Sequence, residues 1–252
     1  MNDRIVWDKN ADTYEEEVFN VYQNDKKGII AECVMNHADL EKSAVDFGCG
    51  IGNALPLLTP LFRDITAVDI SRKCINRAKL IAPKNVAFKR MDLALGRVDI
   101  APTDFLLCSN VAISGNNKRN YRILANALSI LNKNGTAIFV LPALESMSLS
   151  TWRLMDWYRK EGLAISDIPQ SDLSHLDLKY RKELEDGIVY IQDTPTKHYK
   201  LPELFSLFHD STFQIQIVEK VEYDWATELD SPPSWIREPY PYDWMVEVKR
   251  IR

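Results

Sequence analysis

Val45-Asp46-Phe47-Gly48-Cys49-Gly50-Ile51-Gly52 sets three glycines at alternate positions directly behind a short apolar run. A second apolar run, Ala67-Val68-Asp69-Ile70, follows and carries a carboxylate near its end. Glycine reaches φ > 0 and lets the backbone approach another group closely, so the cluster marks a tight turn out of a buried strand. Pro56 is tolerated only early in a helix, which places a helix start just after the turn. The layout is strand, glycine turn, helix, second strand. Parallel strands joined this way leave a crevice at their carboxyl ends.

The alternation continues along the chain. Apolar runs at 43–47, 64–69, 86–89, 104–108 and 136–141 are predicted strands. Residues 8–20, 25–37, 55–61, 72–81 and 121–131 are predicted helices, the last with Asn134-Gly135 as its stop. Helices alternating with short apolar strands specify a parallel sheet. The pattern breaks at 143–186, which reads as a polar helical insertion with Trp152, Met155 and Arg159 on one helix face. It resumes with a strand at 188–192 and a helix at 202–210. An antiparallel pair, 213–223 and 244–251, closes the chain around a loop rich in proline and aromatics. The expected fold class is α/β: a doubly wound, seven-stranded sheet, mostly parallel with a C-terminal antiparallel strand. One domain over 1–252 is expected, with 143–186 as a helical cap over the crevice.

Composition narrows the function classes. The chain has 252 residues, 46% hydrophobic and 27% charged, as in ordinary globular proteins. Its formal net charge of −5 argues against a nucleic-acid partner, which usually demands a basic face. No apolar run approaches the roughly 18 residues of a spanning helix, so no membrane association is expected. The N-terminal residues show no signal-peptide pattern, and Cys33, Cys49, Cys74 and Cys108 are widely spaced, as in a reducing cytoplasm. His37, His175, His198 and His209 lack metal-ligand spacing, so no metal is expected.

A carboxylate ending the second strand is placed to accept both hydroxyls of a ribose. Two nucleosides then compete, a dinucleotide and S-adenosylmethionine. The dinucleotide fingerprint wants G-x-G-x-x-G, but position 53 is Asn and the third glycine is Gly52. The observed pattern is D-x-G-x-G-x-G from Asp46. Here the chain resembles the class I S-adenosylmethionine-dependent methyltransferases, whose sheet is Rossmann-like. Asp46 through Gly52, including Cys49, match that family's first motif, and Asp69 with Ile70 its ribose-binding position. Met91, Asp92 and Leu93 match the segment flanking adenine. Ser109 and Asn110 match the end of strand four, which faces both cofactor and substrate. Leu131 through Thr136 resemble the turn before strand five, with Asn134 in place of a glycine. Trp7, Asp8, Ala11 and Tyr14 look like the N-terminal helix of the small-molecule branch.

The resemblance implies transfer of a methyl group by in-line displacement to an O, N or C nucleophile of a small molecule. Tyr14 is a candidate for the electron-rich face beside the sulfonium. Tyr14, His198 and His175 are the candidate catalytic residues, the histidines as bases if the nucleophile needs one. Packing is the competing role for each. The aromatic residues of the insertion either line a substrate pocket or pack the insertion onto the core. A protein methyltransferase and a non-catalytic cofactor-binding module are the competing functions. Monomer and homodimer are both compatible with the sequence.

Overall fold

The computed structural model describes residues 7–9, 11–168, 185–191 and 194–252. Its strands are β1 (Asp39–Phe47), β2 (Phe62–Asp69), β3 (Val86–Arg90), β4 (Thr103–Ser109), β5 (Leu131–Pro142), β6 (Ile188–Ile191), β7 (Thr194–Lys197), β8 (Phe213–Glu222) and β9 (Tyr242–Arg250). Seven of them form one sheet in the order β3-β2-β1-β4-β5-β9-β8. β1 to β5 are parallel, and β9 inserts antiparallel between β5 and β8. The order reverses between β1 and β4, where such sheets open a ligand crevice. β6 and β7 form a separate antiparallel hairpin.

The helices are α1 (Tyr14–Glu17), α2 (Val21–Asn24), α3 (Ile29–Met35), α4 (Leu55–Leu58), α5 (Arg72–Ile81), α6 (Asn117–Ser129), α7 (Leu144–Lys160) and α8 (Leu201–Phe208). Strand side chains alternate between two apolar layers. Val45, Phe47, Leu106 and Phe139 pack on α6 and α8. Ala44, Ile65, Phe105 and Ile138 pack on α3, α4 and α5. Each large apolar side chain removed from water in these layers contributes about 1.5–3 kcal/mol. β1 is buried along residues 44–47, so its last residues are firmly held where the glycine turn begins.

Three expectations need correction. Residues 8–20 are not one helix: α1 is a single turn, and Asn20 then caps α2 through the N–H groups of Tyr22 and Gln23. The segment is held from outside instead, by Ser71 donating to Asp8 at 2.7 Å and Lys73 pairing with Asp12 at 2.6 Å. The predicted helix at 25–37 shortens to α3, because Gly28 at φ 66° starts it late. Asn134-Gly135 does not stop α6, which ends at Ser129. Thr103 pairs with Leu131 and Phe105 with Thr136, so 132–135 loop out within β5. Asn132 fastens that loop by donating to Asp104 at 2.7 Å.

Within the insertion, α7 and a 3-10 turn at Ile165–Asp167 are helical. Leu149, Leu154 and Trp157 of the α7 stretch, together with Tyr240, pack against Trp225, Leu229 and Ile236. The aromatic loop and α7 therefore cover each other. Ser146 accepts the Tyr242 N–H at 2.8 Å and Glu145 accepts from Leu201 N–H at 2.9 Å, which ties α7 to β9 and α8. Trp152 stays 53% exposed. Among the described residues no helix is long and apolar enough to cross a membrane.

Candidate active site

The glycine turn is shaped by the ends of β1 and β2. Gly48 and Cys49 donate to the Val68 carbonyl at 2.8 and 2.9 Å, folding the chain back over β2. Gly50 N–H donates to Asp69 Oδ2 at 2.9 Å, and Ser71 N–H to Asp69 Oδ1 at 2.8 Å. The carboxylate thus holds the turn and the start of α5 together. Each oxygen keeps a second lone pair for a further donor. Gly50 has φ +50°, and a Cβ there would strike the Tyr14 hydroxyl. Gly48 has φ +92°, and a Cβ there would strike Val111. At the carboxyl end of the sheet, only residues without a Cβ let Val111 and Tyr14 pack this closely on the turn.

Electrostatics mark the same place. Asp46 is 4% exposed, and its Oδ2 is buried without a partner. Burial, reinforced by the nearby Asp69 charge, pushes the Asp46 carboxyl up to about 7. Burial also raises Asp69, against the lowering effect of its backbone donors. Tyr14 packs on Ala11, Ile51 and Cys74, and burial beside Asp69 raises its phenol well above the ordinary value. The Cys49 thiol is buried and raised likewise, so it is inert rather than nucleophilic.

β3 and β4 complete the rim. Met91 N–H donates to the Asp69 carbonyl at 2.9 Å, which sets Met91 and Asp92 beside the end of β2. Ile70 is half-buried and gives its carbonyl to Arg90 at 3.2 Å. Asp92 accepts both guanidinium arms of Arg119, at 2.7 and 3.1 Å, and the Ala94 N–H at 3.0 Å. Burial alone would raise Asp92, but these bonds carry it below the usual carboxylate range. The Leu93 side chain is 5% exposed and belongs to the apolar core, so only its backbone is available to a ligand. Ser109 accepts the Tyr22 hydroxyl at 3.0 Å. Asn110 sits at φ 53°, a conformation asparagine tolerates, and its Oδ1 is buried and unpartnered.

The candidate histidines separate. His198 is 4% exposed, its Nδ1 lies 3.2 Å from the Thr196 carbonyl, and burial lowers it to about 4. A ring held neutral this firmly is a weak base. It stands next to Tyr199, which bridges to Ala143 just past β5. His175 lies outside the described residues. His37 contacts Glu247 at 3.2 Å inside the fold. Among the described residues no group of three His, Cys, Asp or Glu is placed to hold a metal ion. A surface cavity of about 340 Å³ between α5 and β3 is lined by Arg72, Asn76, Lys79, Phe88 and Arg90, and no glycine-turn residue borders it.

Sequence reasoning missed Tyr22, Val111, Tyr223 and Asp243. Asp243 had a signal: it is a carboxylate set within the apolar first half of a strand, Tyr242-Asp243-Trp244-Met245-Val246. Tyr22 and Tyr223 had none, because their hydroxyls are placed by chain segments distant in sequence.

A methyltransferase-domain family model matches residues 19–179. No curated protein matches the sequence. A S-adenosylmethionine-dependent methyltransferase from Methanosarcina mazei superposes with a TM-score of 0.62 at 18% identity, covering 87% of this chain and 97% of that one. One from Mesorhizobium loti superposes at 0.61 and 17% identity, covering 89% and 97%. The N-methyltransferase NodS from Bradyrhizobium japonicum, in complex with S-adenosyl-L-homocysteine, superposes at 0.62 and 9% identity over all of both chains. The chain belongs to the class I S-adenosylmethionine-dependent methyltransferases. It is accordingly an enzyme, and S-adenosylmethionine is its cofactor.

The residues present fit that cofactor. The orphaned Asp46 Oδ2 matches the ammonium of its amino-acid end.

Proposed function

We propose that the enzyme methylates a nucleophilic O, N or C atom of a small molecule, within a single domain over 1–252 capped by 143–186. The observation behind this reading is enclosure. Asp46 Oδ2 and Asn110 Oδ1 are both sealed from solvent while lacking partners. An acceptor side chain presented by a folded protein would need an open groove. A small molecule can be surrounded. The cytoplasm is the proposed location, with the protein acting as a monomer or homodimer on a substrate that is neither nucleic acid nor membrane.

Bound S-adenosylmethionine supplies an electrophilic methyl group on a sulfonium. This chain's part is to bind, orient and exclude water. In this reading Asp46 and the turn through Gly48, Cys49, Gly50 and Gly52 hold the amino-acid end. Asp69 and Ile70 hold the ribose, and Met91, Asp92 and the Leu93 backbone flank the adenine. Ser109 and Asn110 face the transfer point. Tyr14 remains a neutral phenol and offers its electron-rich ring and oxygen to the positive charge. Tyr22 orients Ser109. His198 contributes as a neutral polar group on the β5 side, a weak base where a proton must leave, and His175 is the second candidate for that task.

The test is incubation with methyl-labelled S-adenosylmethionine and two fractions of a cell extract, one below about 1 kDa and one of protein. Label in the low-mass fraction is expected. Label confined to protein bands would overturn the small-molecule reading.

A further inference from the structure

Beyond the glycine turn, a second polar cluster lies on the same face of the sheet. Tyr223 Oη donates to Asp243 Oδ2 at 2.8 Å, and Asn110 Nδ2 donates to that same oxygen at 3.2 Å. Asp243 opens β9 opposite Pro142, at the carboxyl end of β5. Asn110 leaves β4 at the same end. The Phe19 ring stands edge-on to Tyr223 with centroids 4.7 Å apart, giving the cluster an aromatic flank. Asp243 is 8% exposed, and burial pushes its carboxyl up to about 6 against the effect of both donors.

Two features of this cluster call for a ligand. Both donors fall on Oδ2, and among the described residues no Lys or Arg pairs with Asp243. Asn110 gives one amide N–H to Asp243, and its Oδ1 is buried with nothing donating to it. A buried acceptor left unmade is costly, and a buried carboxylate without a countercharge more so. The cofactor's own ammonium cannot serve Asp243 as well as Asp46. β1 and β9 are separated by β4 and β5, three strand spacings or about 14 Å.

The missing partner must bring several donors and a positive charge. A carboxylate or carbonyl brings no donor, and a hydroxyl brings one without charge. An alkylammonium brings two or three N–H groups and the charge together. We propose that Asp243 and Asn110 are the specificity-determining pair for an amine substrate, a primary or secondary alkylammonium whose N–H groups are received by Asp243 and by Asn110 Oδ1. Phe19 and Tyr223 flank its carbon portion. This rests on the small-molecule reading above and names its substrate class.

The experiment is calorimetry on the full-length protein saturated with S-adenosylhomocysteine. Three probes of one shape are compared: 2-phenylethylamine, 2-phenylethanol and phenylacetate. The amine is expected to bind at least about tenfold more tightly than the alcohol, and phenylacetate not at all. Asp243→Asn should abolish that preference while S-adenosylhomocysteine affinity stays unchanged. Asn110→Gly, which keeps the positive φ, should weaken the amine severalfold and serves if Asp243→Asn does not fold. Equal binding of amine and alcohol, no binding of the amine, or a preference that survives substitution would overturn the proposal. Failure of S-adenosylhomocysteine to bind is seen before any probe is added. The labelled-extract experiment separately reads whether the substrate is small.

Discussion

Asp46→Asn tests the electrostatic reading of the glycine turn most directly. The carboxyl moves from an ordinary 3.8 to about 7 on folding, chiefly by burial and secondarily through Asp69. Its folded value lies above its unfolded value, so the folded state holds the proton more tightly. Below pH 3.8 both states are protonated and nothing is lost. Between 3.8 and 7 the unfolded chain ionises first and stability falls. Above 7 the loss levels off at roughly 4 kcal/mol. At pH 5 the same relation leaves a loss of roughly 2 kcal/mol. Asparagine cannot ionise, so the variant should gain roughly 2 kcal/mol more over wild type at pH 8 than at pH 5. Urea denaturation of the cofactor-free protein at both pH values measures this. Calorimetry should meanwhile show S-adenosylmethionine bound at least about tenfold more weakly, because the ammonium loses its countercharge. A variant that is destabilised equally at both pH values would refute the argument, since Asp46 would then have a partner in the free protein.

Gly50→Ala forces a Cβ toward the Tyr14 hydroxyl at a residue held at φ +50°. It should cost about 1–2 kcal/mol in backbone strain and weaken S-adenosylhomocysteine binding, as denaturation and calorimetry would show. Tyr22→Phe removes the 3.0 Å bond to Ser109. About 1 kcal/mol of stability should go, with kcat falling more than KM rises if Ser109 is a positioning contact. Lys197→Met breaks a 1% exposed ammonium from Glu203, at 2.7 Å, and from the Asp186 carbonyl, at 2.8 Å. Roughly 2 kcal/mol or more should be lost on denaturation, while S-adenosylhomocysteine affinity stays unchanged, because Lys197 sits in the separate β6–β7 hairpin.

The amino-acid sequence by itself determined the elements whose information is local. α5 runs from Arg72 to Ile81 as the periodicity predicts, because Ser71 caps its start and Pro83 forbids its continuation. The glycine spacing disfavoured a dinucleotide, and Asp69 with Met91 and Asp92 completed the match to a S-adenosylmethionine site, because these motifs are short runs read directly along the chain. The N-terminal segment was misread because its conformation is dictated by Ser71, which caps α5, and Lys73 within it, reaching Asp8 and Asp12. The 132–135 loop was misread because its cause is a pairing between Thr103 and Leu131.

What only the tertiary structure decided is that Asp46 Oδ2 and Asn110 Oδ1 go unanswered and that Asp243 is buried without a countercharge. Asp46, Asn110 and Asp243 are ordinary polar letters in the chain. Burial by the sheet and the N-terminal segment removes their water, and the fold supplies donors to some oxygens but not others. Desolvation depends on neighbours far apart in sequence, so the glycine turn announces a cofactor while the acceptor side of the crevice emerges only when β4, β5 and β9 stand side by side.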